Sequence, residues 1–394
     1  MKNLLIVTDL SFPKGSAMAS RIISFCHLFN DLGYKVHVIT GKYESKYCRY
    51  DETIDEGFYS YEVVKSNRSY RLQSYIGNEN LAYRVEEYLE NNNVDLVFTT
   101  SLNAVFGRVL KLCRKYNKKI IVEQCEWYDS SSFTFGKLDP RYLRFLFNIN
   151  FRYTKADGII SISRLLNDYY KLKGVNTIRI PSILNVQDSL SKNVLDNKKI
   201  EIVYTGNTSK SKELLKPIFE ALASKQDYLD NININIYGSN LKKVLINIDK
   251  DKELYNKVKE SVFINGVVGQ ERIQEILLNA DYQLFIRPDR RSSNAGFPTK
   301  LAESMTVGTP VITNYTGDID LYLKDNINGL VCDGTTSNDV KKIFDRIINM
   351  SKGNYSILRR NARLTAEENF DYRNYFDGVK ELIDKLWVRG QIEF

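Results

Sequence analysis

Short apolar runs alternate along the chain with longer segments in which apolar residues recur every three or four positions. Runs at 4–8, 36–40, 95–99, 119–123, 157–162 and 177–180 read as buried strands. Segments 20–32, 81–90, 104–116 and 163–173 read as helices; in the first, Ile22, Phe25, Cys26, Phe29 and Leu32 share one face. Residues 42–78 are polar, aromatic and irregular, with one strand expected near 61–64. After a polar linker over 181–199 the rhythm restarts. Strands are expected at 200–204, 232–237, 262–265, 282–286, 311–313 and 329–332, with helices at 213–224, 270–279, 300–307, 338–350 and 357–370. A last helix covers 372–387. Such alternation predicts α/β domains, each a parallel sheet with helices on both faces, that bind ligands at the carboxyl ends of the strands.

Length and composition agree with two domains. The chain has 394 residues, 43% of them hydrophobic and 26% charged, enough for two cores. Tyrosine is abundant (26) and proline scarce (7), which argues against disorder. No apolar run is long enough to span a bilayer, and the opening MKNLLIVTDL does not read as a signal peptide, so a cytoplasmic location is expected. Five scattered cysteines without a C-x-x-C pair exclude a disulfide framework or zinc site as a first reading. Cys26 and Cys113 fall on apolar helix faces and read as core, while Cys125 lies near a candidate site. Net charge is +8, and residues 137–173 hold eight basic side chains against three acidic ones. Within them, PRYLRFLFNINFRYTK (140–155) mixes Arg and Lys with Leu, Phe and Tyr at helical spacing. That pattern suits either an anionic membrane interface or a core-facing helix with a basic outer side. The local concentration of charge favours the membrane. No nucleic-acid module is present, and the overall charge is modest for one.

The chemistry concentrates at turns that follow strands. In 282–313 (YQLFIRPDRRSSNAGFPTKLAESMTVGTPVIT), Gly296, Phe297, Pro298 and Thr299 open a helix that begins at Lys300, and Gly308 closes it. A helix start behind a glycine turn offers unpaired N–H groups and partial positive charge to a diphosphate, or it simply turns the chain. Glu303, one turn inside, would accept hydrogen bonds from a ribose. A second turn, Gly206 and Asn207, carries Lys210 and Lys212: fixed positive charge for an anionic ligand, or two solvated lysines before a helix. Gly15 marks a similar turn in the first domain. After strand 119–123, the loop expected to face the strand-end cleft carries two carboxylates: Glu126, either turned toward a ligand or solvated, and Asp129, which reads as a solvated loop acid.

The stretch 282–313 resembles the donor-binding segment of family 4 of the nucleotide-sugar glycosyltransferases, which have the GT-B fold. Their usual form is Glu-Gly-Phe-Gly-x-x-x-x-Glu followed by Ala-Met-Ala-x-Gly-x-Pro-Val. Here the second glutamate stands as Glu303 and the first is Ala295. The resemblance extends to Gly206 and Lys212, with Asn207 where the family commonly has arginine, and to the glycine loop at Gly15. It covers most of the chain and fails at 42–78. The family's histidine, which contacts the donor sugar, has no match: His27 and His37, the chain's two histidines, read as structural.

The resemblance implies two doubly wound, Rossmann-like domains facing a cleft: residues 1–183, joined by a C-terminal helix that crosses back (372–394), and residues 184–371. It implies transfer from a nucleoside-diphosphate sugar, UDP-sugar above others, with retention of configuration and without a cofactor or metal. Asp318 and Asp320 have Asp-x-Asp spacing but follow strand 311–313, away from the phosphate. The expected donor residues are Gly15, Gly206, Asn207, Lys212, Val268 (beside the base), Arg287, Gly296, Phe297, Pro298, Thr299, Lys300 and Glu303. Glu126 and Lys212 are the expected catalytic residues. The acceptor would be a glycan or a polyprenyl-diphosphate-linked glycan, in capsule or O-antigen assembly at the inner face of the plasma membrane. The transferred group would be a hexosyl or N-acetylhexosaminyl unit. Replacement of the glutamate, arginine and histidine together leaves open a catalytically weak GT-B partner subunit; a nucleotide-sugar epimerase, which needs the same donor site but no acceptor, is a further alternative.

Overall fold

The computed structural model describes residues 1–15, 17–42, 50, 52–100, 103–188 and 199–388. Much of the expected linker, part of the irregular stretch 42–78, Cys48 and the end of the C-terminal helix lie outside these. The chain forms two compact units, Met1–Ile183 with Tyr372–Phe394, and Leu184–Asp371.

The first unit is built on strands β1 (Lys2–Ser11), β2 (Tyr34–Lys42), β3 (Ile54–Asp55), β4 (Tyr59–Val63), β5 (Leu96–Thr100), β6 (Lys119–Gln124), β7 (Gly158–Ser161) and β8 (Thr177–Arg179). They lie in the order β3-β4-β2-β1-β5-β6-β7-β8. Every pairing is parallel except β3 with β4. Ile6 of β1 sits opposite Val38 on one side and Phe98 on the other. All five residues of β5 are buried, as expected of a strand covered on both faces. The helix Phe376–Val388 belongs to this unit: Val379, Leu382, Ile383 and Leu386 join the core of Leu4, Ile6 and Phe25. Gly158 permits that contact, since a Cβ there would lie 3.3 Å from both Leu382 and Leu386.

The second unit carries β9 (Ile200–Thr205), β10 (Ile232–Tyr237), β11 (Val262–Ile264), β12 (Tyr282–Leu284), β13 (Val311–Asn314) and β14 (Gly329–Cys332). The order is β11-β10-β9-β12-β13-β14, all parallel. The chain winds outward from β9 to β11 and then crosses to β12, so the winding direction reverses between β9 and β12. Ligands of doubly wound sheets bind at the carboxyl ends of such a pair. Gln283 ties the two strands there, its Nε2 donating to Thr205 Oγ1 at 2.6 Å.

Two departures from expectation bear on the candidate site and on the basic stretch. The helix read over 213–224 begins only at Lys216, with Pro217 in its first turn, where the missing N–H is tolerated; residues 213–215 stay in the preceding loop. The single basic helix read over 140–155 is a helix only over Pro140–Phe147, followed by a wider π turn, Asn148–Arg152, and a 3-10 turn, Tyr153–Lys155. Asn148 is buried at the junction and donates to Asn103 O at 2.7 Å.

Candidate active site

Three glycine turns are laid one against another at the carboxyl ends of β9, β10 and β11. Gly206 N donates to Tyr237 O at 2.9 Å, and Gly238 N to Gly266 O at 2.7 Å. Gly238 has φ +87°, and a Cβ there would stand 2.8 Å from Gly206 O, so only glycine fits. Gly206 itself has φ +116°.

The loop after Gly206 is held from inside the unit. Asn247, 1% exposed, donates to Thr208 O (3.2 Å) and Glu213 O (2.9 Å) and accepts from Leu215 N (2.8 Å). Leu214 N reaches Ile286 O, just past β12. These bonds turn Glu213 inward, where its carboxylate meets Lys300 Nζ at 2.6 Å. The ammonium also lies 4.4 Å from the Tyr204 ring centre and 5.3 Å from that of Phe285. A Cβ on Gly206 would lie 3.4 Å from Lys300 Nζ, so the lysine head stands directly against the glycine turn.

Arg287, past the end of β12, is a second cation and is buried, where Lys300 keeps a partly exposed side chain. Its Nη1 donates to Thr316 Oγ1 at 3.0 Å, and its backbone is clamped in both directions by the Asn314 side chain (2.8 and 2.9 Å). Burial lowers the pKa of Arg287, and Glu213 opposes the shift. Burial likewise pushes the Lys300 ammonium below the usual lysine range; Glu213 opposes this and the like charge of Arg287 adds to it. The site thus concentrates positive charge where little water screens it.

Lys300 lies in the first turn of the helix Thr299–Thr306, whose N-cap, Pro298, contributes no side-chain cap. One turn on, Glu303 accepts from Gln270 Nε2 at 2.8 Å, and burial raises its carboxyl above the usual range. Gln270 opens the helix that follows the segment holding half-buried Val268. Phe297 is anchored instead of presented: it is 6% exposed and packs on Tyr322 and Phe370 at 5.4 and 5.8 Å. Ala295 is fully buried. Within the second unit, then, Gly206, Arg287, Lys300 and Glu303 fall on neighbouring turns at the strand ends, while Asn207 and Lys212 are exposed on the loop above.

Gly15 and Glu126 belong to the first unit. Gly15 follows β1 with φ +105°. Glu126 is half-buried after β6, beside the Tyr128 phenol, whose pKa is driven well up by burial and by this carboxylate. Neither histidine has a ligand-binding setting. His27 stacks on Phe58 and Tyr372 at 3.8 and 5.3 Å, and His37 stacks on Tyr88 at 4.5 Å. Among the described residues, no group of three or more His, Cys, Asp or Glu could hold a metal ion.

Sequence reasoning missed Glu213, Tyr204, Asn247 and Gln270. Glu213 was read as the first residue of a helix, and Asn247 fell in a segment given no element. Pro217 was the available signal that the helix starts late.

Residues 185–365 match the model of the glycosyl transferases group 1 family. The fold is that of several solved structures, each at low sequence identity. Sucrose-phosphate synthase from Thermosynechococcus elongatus aligns with TM-score 0.79 and 14% identity, over 99% of this chain and 100% of that one. Anabaena HepE in complex with UDP and glucose aligns with TM-score 0.71 and 13% identity, over 98% and 100%. The lipopolysaccharide outer core galactosyltransferase WaaB aligns with TM-score 0.59 and 17% identity, over 97% and 99%. No curated protein sequence matches the chain.

Proposed function

We propose that this GT-B glycosyltransferase, whose residues 185–365 are a glycosyl transferases group 1 domain, moves a sugar from a UDP-sugar to a glycan or lipid-linked glycan acceptor with retention of configuration. The observation that carries the reading is the meeting of a glycine turn, the cations Lys300 and Arg287, and Glu303 at the β9/β12 reversal. The donor diphosphate lies against the turn at Gly206 and the start of the helix Thr299–Thr306, an end whose partial positive charge favours an anion; Gly296 N is already bonded to Ser292 O, as the close of a short helix Arg291–Ala295. Glu303, held by Gln270, accepts from the ribose hydroxyls, and the base lies along the segment at Val268. HepE was solved with UDP and glucose, which supports uridine as the base.

In the retaining reaction the leaving phosphate oxygen takes the acceptor's proton, so the protein needs no dedicated base. Its part is to orient the two substrates and to stabilise charge as the sugar–phosphate bond breaks. Glu126, in the first unit, is assigned to a sugar hydroxyl. Lys212 is assigned to the outer side of the diphosphate.

Titrating the chain with UDP-, GDP- and ADP-sugars, then measuring transfer, tests this. Glu303→Ala is expected to weaken donor binding by roughly tenfold or more, from the loss of ~1.5–3 kcal/mol of hydrogen bonding to a charged group. Binding of none of these sugars would instead favour a non-catalytic partner subunit. Conversion of the donor sugar without acceptor would favour epimerisation.

The cell-surface setting rests on the first unit. Phe135, Leu138, Leu143, Phe147 and Phe151 are 48–81% exposed, and Lys137, Lys155, Lys171 and Lys173 are exposed around the same basic stretch. We assign this surface to an anionic membrane leaflet bearing a polyprenyl-diphosphate-linked acceptor, as in capsule or O-antigen assembly. No helix among the described residues is long and apolar enough to cross a membrane, so contact would be peripheral. Phe147→Ser with Phe151→Ser is expected to reduce sedimentation with phosphatidylserine vesicles and to leave UDP binding unchanged; undiminished vesicle binding refutes the assignment.

A further inference from the structure

The family pattern calls for an arginine at the position of Asn207 and a lysine at Lys212, and this chain keeps only the second. Lys212 is exposed, and Asn207 carries no charge and is exposed too. Two further cations lie nearby. Lys300, largely buried, enters from the helix Thr299–Thr306 and stands against the Gly206 turn, paired with Glu213. Arg287, buried, enters from the loop after β12, where its side chain donates to Thr316. Resting on the UDP-sugar reading above, we propose that Lys300 and Arg287 neutralise the donor diphosphate in this chain. Glu213 is the resident counterion of Lys300, and Lys300 exchanges it for a phosphate oxygen when donor binds.

Four features support the exchange. The ammonium touches the glycine turn itself, the place where a phosphate can approach the backbone most closely. It is held by a single carboxylate and by two ring faces, Tyr204 and Phe285. The rings attract the cation without using up its N–H donors, so a phosphate oxygen can replace the carboxylate with little loss. Glu213 keeps some compensation when Lys300 turns away: the charge of Arg287 acts on it at longer range, and the Tyr204 hydroxyl, which donates to Asn207 O at 3.2 Å, lies close by. The backbone around all three groups is fixed by Asn247 and Asn314, which keeps reorganisation small.

The experiment is isothermal titration of the full-length chain with UDP, GDP, ADP and uridine. Removing Lys300 alone would strand Glu213 in a buried place, so the charge-neutral pair Lys300→Met with Glu213→Gln is the main variant. It is expected to weaken UDP binding roughly 30-fold or more, as for loss of one partner of a buried charge contact. Uridine, which has no phosphate, should bind this variant as it binds wild type. Arg287→Gln should likewise weaken UDP and spare uridine. Glu213→Gln alone frees Lys300 and should bind UDP more tightly than wild type. Lys212→Met should cost no more than about fivefold, the range of an exposed ion pair. UDP binding by the double variant within about threefold of wild type, or a larger loss in Lys212→Met than in the double variant, overturns the inference and leaves the donor reading standing. A wild-type chain that binds none of the three nucleoside diphosphates overturns both.

Discussion

Lys300 shows what a buried charge needs and what it makes available. An ammonium taken from water is tolerated only when paired or otherwise compensated, and here the partners are Glu213 and two aromatic rings. Compensation is incomplete: burial still holds the ammonium below the ordinary lysine range, with Arg287 adding to the shift and Glu213 and Glu303 opposing it. The consequence for binding has a definite sign. If the cation is what receives the diphosphate, UDP affinity is constant below the depressed pKa and falls as pH rises through it. That fall comes earlier than an ordinary lysine would cause. In Glu213→Gln the principal opposing charge is gone, so the alkaline fall should move to lower pH still. Titration calorimetry across the alkaline range checks this. A profile that stays flat up to the pH of an ordinary lysine, in both proteins, would remove Lys300 from the binding step.

At the scale of elements, what could be read from the sequence followed period and punctuation. Strands β10 and β14 lie where the apolar runs place them, because each run is bounded by a turn residue or a break in pattern. In β10 the alternation is visible in the structure: Ile232, Ile234 and Ile236 are buried, while Asn233 and Asn235 donate to the Glu201 carboxylate. The glycine turn at Gly206 was legible for the same reason, since a strand followed by glycine signals a sharp reversal. Residues whose role depends on partners far along the chain were not legible. Glu213 and Lys300 are 87 positions apart, and Asn247 reaches back 34 residues to hold Glu213. Nothing local to Asn247 distinguishes it from a solvated asparagine. The helix expected at 213–224 shows how one boundary decides a site. Helix periodicity there says nothing about the first turn, but Pro217 pins the start at Lys216 and leaves Glu213 in the loop that turns inward.

For the molecule as a whole, the chain leaves the first unit at Ile183 and returns to it at Tyr372, so the first unit is completed only after the second has been made. The returning helix is not ornamental to that core. Val379, Leu382, Ile383 and Leu386 are each at most 4% exposed, in one cluster with Leu4, Ile6 and Phe25. At ~1.5–3 kcal/mol for each fully buried side chain, these four contribute about 6–12 kcal/mol. That is comparable to the ~5–15 kcal/mol by which a typical domain is stable. A chain ending at Asp371 should therefore lose the first unit while keeping the second, whose own core and donor-site bonds lie within Leu184–Asp371. Limited proteolysis of the truncated chain should degrade residues 1–183 and leave a resistant fragment beginning near Leu184. UDP at a hundred times its Kd should protect that fragment by about 2.7 kcal/mol. Should the truncated first unit instead resist protease as the full chain does, the returning helix would be a cover on an already sufficient core. Should the second unit be degraded with it, the assignment of the donor-site framework to one self-sufficient unit would fail.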